Sequence, residues 1–97
     1  MTQTLQGETA LVTGASRGIG AAIADMLAAA GARVIGTATS AAGAAAIEAR
    51  LAPSGGAGRV LDVADAASVD SLIESVAMEF GPIGILVNNA GITRDNL

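Results

Sequence analysis

The chain has 97 residues and a net charge of −4, and it contains no Cys, His, Lys, Trp or Tyr. This composition excludes disulfides, Cys- or His-ligated metal sites, thiol or imidazole catalysis, and proton transfer by a phenol or an amine. The five Arg residues are scattered and the apolar runs are short, so we expect a cytoplasmic protein that binds neither nucleic acid nor membrane.

Short apolar runs alternate with helical patterns in the first half of the chain. Residues 9–13 predict a strand that ends at a glycine, and residues 33–37 predict a second strand. The helix predicted between them, over residues 19–30, ends at Gly31. A second helix is predicted over residues 41–51 with Ser40 as its N-cap. The apolar stripe predicted for the first helix consists of Ile19, Ile23, Met26, Leu27 and Ala30.

The second half continues the alternation. Residues 53–58 are rich in glycine and predict a loop, and residues 59–62 predict a short third strand. Asp65 is a good N-cap for a third helix, which the Gly81-Pro82 pair ends. Residues 83–87 are apolar without alternation and predict a fourth strand with both faces covered.

A βαβαβαβ order predicts an α/β fold with a parallel sheet and right-handed crossovers. The expected architecture is a Rossmann-type doubly wound sheet with strand order 3-2-1-4. We interpret residues 1–97 as one part of a single such domain, so the expected sheet is incomplete.

The sharpest motif is the turn at residues 13–20, Thr-Gly-Ala-Ser-Arg-Gly-Ile-Gly, between the first strand and the first helix. Gly14 permits the tight turn, Gly18 lets a pyrophosphate approach the backbone, and Gly20 lets the helix pack closely. Free N–H groups and the helix dipole then attract phosphate. The turn predicts dinucleotide binding, and the alternative is a merely tight strand-to-helix turn.

The end of the second strand indicates which dinucleotide is bound. NAD sites place Asp or Glu there for the ribose hydroxyls, but residues 37–40 contain no acid. Arg17 in the glycine turn, with the hydroxyls of Thr39 and Ser40, suits a 2′-phosphate, so we expect NADPH. Alternatively, Arg17 is a solvated loop charge and Ser40 only an N-cap.

Polar side chains also follow the third and fourth strands. Asp62 either accepts a hydrogen bond from the adenine amino group or caps the following turn. Asn88 either lines the cofactor crevice or bridges adjacent loops by hydrogen bonds. The small Ala90-Gly91 pair would let a cofactor approach closely.

These segments resemble the two N-terminal signatures of the short-chain dehydrogenase/reductase family, at residues 13–20 and 88–91, and Asp62-Val63 resembles its adenine-contacting position. Residues 13–20, 34–40 and 87–97 are similar to the branch of bacterial 3-oxoacyl-[acyl-carrier-protein] reductases. The resemblance implies NADPH-dependent reduction of a 3-oxoacyl thioester on acyl-carrier-protein, in fatty-acid biosynthesis, by a homotetramer. The implied cofactor-binding residues are Gly14, Ser16, Arg17, Gly18, Ile19, Gly20, Thr39, Asp62, Val63, Asn88, Ala90 and Gly91.

The chain departs from this family in its catalytic residues. The family uses Asn, Ser and a Tyr-x3-Lys pair later in its sequence, and no Tyr or Lys exists here. We therefore expect the cofactor-binding N-terminal part of a reductase, with no catalytic residue and no metal. Its fourth strand would be a bare apolar edge, so we expect marginal stability or self-association. The alternatives are a stand-alone non-catalytic dinucleotide-binding module, a fragment that binds nothing, and a sister reductase for another carbonyl substrate.

Overall fold

The structure is a computed structural model that describes residues 4–90. Strands and helices alternate through this range, and one short 3-10 turn at Ala52–Ser54 follows the second helix. The strands are β1 (Thr9–Val12), β2 (Arg33–Ala38), β3 (Ala57–Val60) and β4 (Ile85–Val87), and the helices are α1 (Gly18–Ala29), α2 (Ala41–Leu51) and α3 (Ala66–Phe80).

All four strands are parallel and lie in the order β3-β2-β1-β4, which confirms the predicted order. Leu11 in the middle of β1 pairs with Ile35 on one side and Leu86 on the other. After β3 the chain returns across the sheet to β4, beyond β1. This reversal places the carboxyl ends of β1 and β4 side by side, where doubly wound sheets bind their ligands.

Helices cover both faces of the sheet. Alternate residues of each strand point to opposite sides, so both faces carry apolar side chains that the helices bury. Ala10, Val12 and Val34 form a core with Ile47 and Leu51 of α2. On the opposite face, a second core joins β-strand residues to α3 and consists of Leu11, Ile35, Ala57 and Val76. The structure is therefore the incomplete Rossmann-like sheet that the alternating pattern predicted.

The apolar stripe predicted for α1 is confirmed at Ile23 and Leu27, which pack against the core, and wrong at Ile19 and Met26. Ile19 is 73% and Met26 68% exposed, whereas the buried residues of this helix are Gly20 and Ala24. The helix lies so close to the sheet that small residues make the central contact, and Ile23 packs beside them. Sequence spacing detects large side chains but not this close approach.

The end of α1 is as predicted. Gly31 has a left-handed φ of +103°. Its N–H donates to Ala28 O at 3.0 Å, and the next N–H, of Ala32, donates to Leu27 O at 3.1 Å. This double hydrogen bond is the Schellman ending that glycine favours.

The third strand begins and ends two residues earlier than predicted. Ala57 and Gly58, which we assigned to a loop, pair with Ile35 and Gly36 of β2. Gly58 is needed there because a Cβ would overlap the carbonyl oxygen of Ala44 in α2. The strand stops before Asp62, whose backbone and side chain both accept hydrogen bonds in the turn that follows.

The remaining boundaries differ little from the predictions. β1 ends at Val12 and not at Thr13, and β4 begins at Ile85 and not at Ile83. The bounds of α2 are those predicted, and Ser40 Oγ accepts from Gly43 N at 3.0 Å as its N-cap. None of the helices between residues 4 and 90 has the length and apolar character needed to cross a bilayer.

Candidate functional site

The glycine turn lies at the carboxyl end of β1 and is tied to β2. Gly14 has a left-handed φ of +65°, and its N–H donates to Thr37 Oγ1 at 3.3 Å. Ala15 N donates to Thr37 O at 2.8 Å. Both contacts hold the turn against the second strand, and Ala15 is buried while Ser16, Arg17 and Gly18 remain exposed.

Within residues 4–90, the first backbone N–H groups of α1 have no hydrogen-bond acceptor. The first helical hydrogen bond runs from Ala21 N to Arg17 O, and the Arg17 side chain does not cap the helix. The N–H groups of Gly18, Ile19 and Gly20 therefore precede the intrahelical ladder. Such a cluster of free donors at the positive end of a helix dipole suits an anionic oxygen.

Gly18 and Gly20 lack side chains for different reasons. A Cβ at Gly20 would overlap the carbonyl oxygen of Gly14, so this glycine lets α1 pack against the turn. A Cβ at Gly18 would meet nothing within 4 Å, and the residue has a left-handed φ of +65°. The open surface above Gly18 is the space that a phosphate would occupy in the predicted site.

Arg17, Thr39 and Ser40 are all exposed at this edge of the sheet. Three other arginines of the described range have protein partners, since Arg50 pairs with Asp25, Arg59 with two glutamates, and Arg33 with Phe80 O. Among residues 4–90, Arg17 forms no ion pair. Within the described range, Arg17 is therefore the arginine that is available to an anionic ligand at this edge.

Asp62 and Val63 follow β3. Asp62 Oδ1 accepts from Ala64 N at 3.0 Å, so the carboxylate does cap the following turn. This hydrogen bond uses one of the two carboxylate oxygens of Asp62. A contact of Asp62 with adenine stays a prediction. Val63 is half-buried and lines, together with Asn88, an apolar cavity of about 170 Å³ beneath this edge.

Thr13 joins the carboxyl ends of β1 and β4. Its side-chain oxygen accepts from the backbone N–H groups of Asn89 and Ala90, each at 3.0 Å. The hydroxyl has Asn88 Oδ1 at 3.3 Å and Val87 O at 3.5 Å as acceptors. Asn88 therefore has the bridging arrangement that we considered as one alternative, and Ala90 is held beside the glycine turn. Gly91 lies outside the described residues.

Asn89 is a site residue that the sequence analysis missed. Its Nδ2 donates to Gly14 O at 3.1 Å, so the amide fixes the carbonyl beneath the start of α1. Two adjacent asparagines follow β4 in the sequence. Nothing in the sequence indicates which of their two side-chain amides reaches the neighbouring glycine turn. No group of three or more His, Cys, Asp or Glu within residues 4–90 is arranged to hold a metal ion.

Comparison with known proteins gives the same family as the motifs. The family model described as short chain dehydrogenase matches residues 8–97. The chain belongs to the short-chain dehydrogenase family. The match includes the glycine turn and the Asn88–Ala90 segment, which the structure brings together at one edge of the sheet.

The curated relatives with high sequence identity to this chain share the same protein name. The chain is 62% identical over 92 residues to 3-oxoacyl-[acyl-carrier-protein] reductase FabG of Escherichia coli (strain K12), which covers 95% of this chain and 37% of that protein. It is 59% identical over 93 residues to the Haemophilus influenzae protein of the same name, covering 96% of this chain and 38% of the relative. The Pseudomonas aeruginosa protein is 59% identical over 95 residues, with the same coverage. The chain thus spans less than two-fifths of the length of these relatives.

Proposed function

We propose that this chain is the NADPH-binding part of a reductase that converts 3-oxoacyl thioesters on acyl-carrier-protein to 3-hydroxyacyl thioesters in fatty-acid biosynthesis. The observation that carries the proposal is the glycine turn, where the first N–H groups of α1 precede the helical hydrogen bonds and Gly18 leaves open space beside them. The names of the relatives support the substrate class.

The pyrophosphate would bind at the start of α1. The N–H groups of Gly18, Ile19 and Gly20 can donate to its oxygens, with Ser16 beside them on the exposed side of the turn. Gly20 and Asn89 support this arrangement from beneath, through their contacts with the Gly14 carbonyl.

The 2′-phosphate would bind between the glycine turn and the end of β2. Arg17 supplies the positive charge and Thr39 supplies a hydroxyl, and no carboxylate follows β2 to repel the group. A charged hydrogen bond of this kind contributes about 1.5–3 kcal/mol. This charge pattern favours NADPH over NADH.

The adenosine and the nicotinamide ribose would lie along the remaining strand ends. Asp62 and Val63 would contact the adenine, while Asn88, Ala90 and Gly91 would line the crevice near the riboses. The half-buried Val63 and the cavity beside it offer the apolar surface that a purine ring needs.

When bound, the nicotinamide would supply the hydride for reduction of the 3-oxo group. These 97 residues contain no Tyr, Lys, His or Cys to transfer a proton to the carbonyl oxygen. We therefore propose that the chain binds the cofactor without reducing a substrate by itself. Reduction, acyl-carrier-protein docking and homotetramer formation would belong to a longer, cytoplasmic parent protein.

Titration with NADPH and NADH tests the proposal. We expect the chain to bind NADPH more tightly, and we expect Arg17→Gln to weaken NADPH binding about 10- to 100-fold, with little effect on NADH. Arg50→Gln is the matched control, because it removes the same charge from a residue that pairs with Asp25.

The NADPH and NADH titrations test separate parts of the proposal. Equal losses for NADPH and NADH in Arg17→Gln would contradict the 2′-phosphate role, and no binding of either would contradict the site itself. NADPH oxidation by the pure chain with a 3-oxoacyl thioester would overturn the non-catalytic assignment.

A further inference from the structure

Gly43, in the first turn of α2, lies where three elements meet. A Cβ at this position would come within 2.8 Å of the Ala38 Cβ at the end of β2 and 3.2 Å of Ser40 Oγ. It would also lie 3.7 Å from the Ser16 Cβ in the glycine turn. The missing side chain of Gly43 therefore sets how closely α2 approaches the end of β2, whereas at Ser16 a Cβ would make an ordinary van der Waals contact.

The backbone of Gly43 also holds Ser40. Its N–H donates to Ser40 Oγ at 3.0 Å, which fixes the hydroxyl oxygen at the start of the helix. The hydroxyl proton makes no hydrogen bond to any other group of residues 4–90. A shift of Gly43 would move Ser40, and with it the adjoining Thr39.

We propose that Gly43 is a specificity-determining positioning residue for the 2′-phosphate of the cofactor. This inference rests on the proposed function. The end of the second strand is where a Rossmann-type site meets the ribose 2′ position, and here the opposite wall is the Ser16–Arg17 segment. Without a side chain, Gly43 lets α2 pack closely against the end of β2, and this packing positions Ser40 and Thr39 for the 2′-phosphate that Arg17 would bind.

If Gly43 had no close neighbour, a Gly43→Ala variant would be expected to gain stability and to bind both cofactors as the wild type does. Gly43 has no left-handed φ, so alanine is compatible with its backbone conformation. Alanine is the better helix former and restricts the unfolded chain, so in open space this substitution would raise the melting temperature. The 2.8 Å approach to Ala38 is too short for two real Cβ atoms, so α2 must shift instead.

The test compares four chains: the wild type, Gly43→Ala, Ala38→Gly and the double variant. Calorimetric titration with NADPH and NADH gives both affinities, and circular dichroism confirms folding. We expect Gly43→Ala to weaken NADPH binding about tenfold or more and NADH binding less than about threefold. Ala38→Gly removes the methyl group that Gly43→Ala would meet, so the double variant should recover NADPH affinity to within about threefold of Ala38→Gly.

Three results would overturn the inference while leaving the proposed function intact: equal losses for both cofactors, unchanged affinities, or no recovery in the double variant. If Gly43→Ala does not fold, Ala38→Ser takes its place, because it enlarges the opposite side of the same contact, and the same loss of NADPH selectivity is expected. A wild-type chain that binds neither cofactor would overturn the proposed function together with this inference.

Discussion

Thr13 is the residue on which the geometry of the site depends most directly. It is 5% exposed, and its single side-chain oxygen accepts two backbone hydrogen bonds from the segment after β4. Its own N–H donates to Val87 O at 3.0 Å. One buried threonine thus holds the ends of β1 and β4 together at the edge where the cofactor is proposed to bind.

Replacing Thr13 with valine keeps the shape of the side chain but leaves the N–H groups of Asn89 and Ala90 without an acceptor. We expect Thr13→Val to lower the free energy of unfolding by about 1–3 kcal/mol, because partly buried donors lose their partner. Thr39→Val is the control, since Thr39 is exposed, and it should change stability by less than about 0.5 kcal/mol. Urea denaturation of the wild type, Thr13→Val and Thr39→Val without cofactor measures the two changes in the free energy of unfolding. Equal stabilities of Thr13→Val and the wild type would contradict the bridging role.

Among the elements, α3 has the strongest N-terminal cap. Asp65 Oδ1 accepts from Ala67 N at 3.1 Å and Ser68 N at 3.4 Å, and Oδ2 accepts from Ser68 Oγ at 2.8 Å. The Ser68 hydroxyl, followed by the Ser68 backbone N–H, holds the pKa of this carboxyl below its ordinary value of 3.8. The charged form of Asp65 therefore favours the folded helix.

The lowered pKa of Asp65 predicts how the stability of α3 depends on pH. A carboxyl with a lower pKa in the folded state stabilises the fold above about pH 4, and this contribution is lost as the pH falls through the folded-state value. Asp65→Asn keeps a capping side chain without the charge, so its melting temperature should be below the wild type at pH 7, and the difference should shrink towards pH 3.

Asp70→Asn is the control for that measurement, because it removes a carboxylate of the same helix that caps no backbone N–H. Thermal melts from pH 3 to pH 7 give the comparison. A difference between wild type and Asp65→Asn that stays constant over this range would contradict the role of the charge.

Most element boundaries could be predicted because local residues determine them. Ser40 and Asp65 begin helices, and Gly31 ends one, through hydrogen bonds that reach no further than a few residues. The buried face of α1 and the start of β3 could not be predicted. They depend on close backbone contacts, of Gly20 with the Gly14 carbonyl and of Gly58 with the Ala44 carbonyl of α2, and in the sequence a glycine in a close contact looks the same as a glycine in a loop.

The arrangement of the candidate site was predictable to a similar degree, whereas its role in binding a cofactor stays a prediction. Arg17 and the three turn glycines follow from spacing alone, because strand, turn and helix are adjacent in the chain. Asn89 does not, because its amide reaches Gly14 across 75 positions of sequence, and that contact exists only once β4 has paired beside β1.

At the scale of the whole molecule, the two faces of the sheet are unequally covered. Among the described residues, two helices lie over one face and α3 alone over the other, where Leu86 of β4 is 58% exposed. No residue from 81 to 90 is charged. Edge strands usually carry charges that discourage pairing with other chains, so β4 favours self-association.

We expect the 97-residue chain to self-associate through β4, and we expect Leu86→Lys to shift it towards the monomer because a charge would be buried in the contact. Met78→Lys is the matched control, since Met78 is 89% exposed on α3. Sedimentation velocity over a range of concentrations measures the effect. A wild type that stays monomeric, or an equal response to both substitutions, would contradict this prediction.

The opposite edge of the sheet is chemically blocked. The Gly58 N–H of β3 donates to the Glu48 carboxylate of α2 at 2.7 Å. Arg59 beside it pairs with Glu79 at 2.8 Å and lies 5.7 Å from the centre of the Phe80 ring. Both contacts connect α3 to β3. Another strand would have to displace this helix side chain to pair with β3 at Gly58. Within residues 4–90 the two edges of the sheet therefore differ: an added strand would compete with Glu48 for the Gly58 N–H at β3, and it would meet no charged residue in β4.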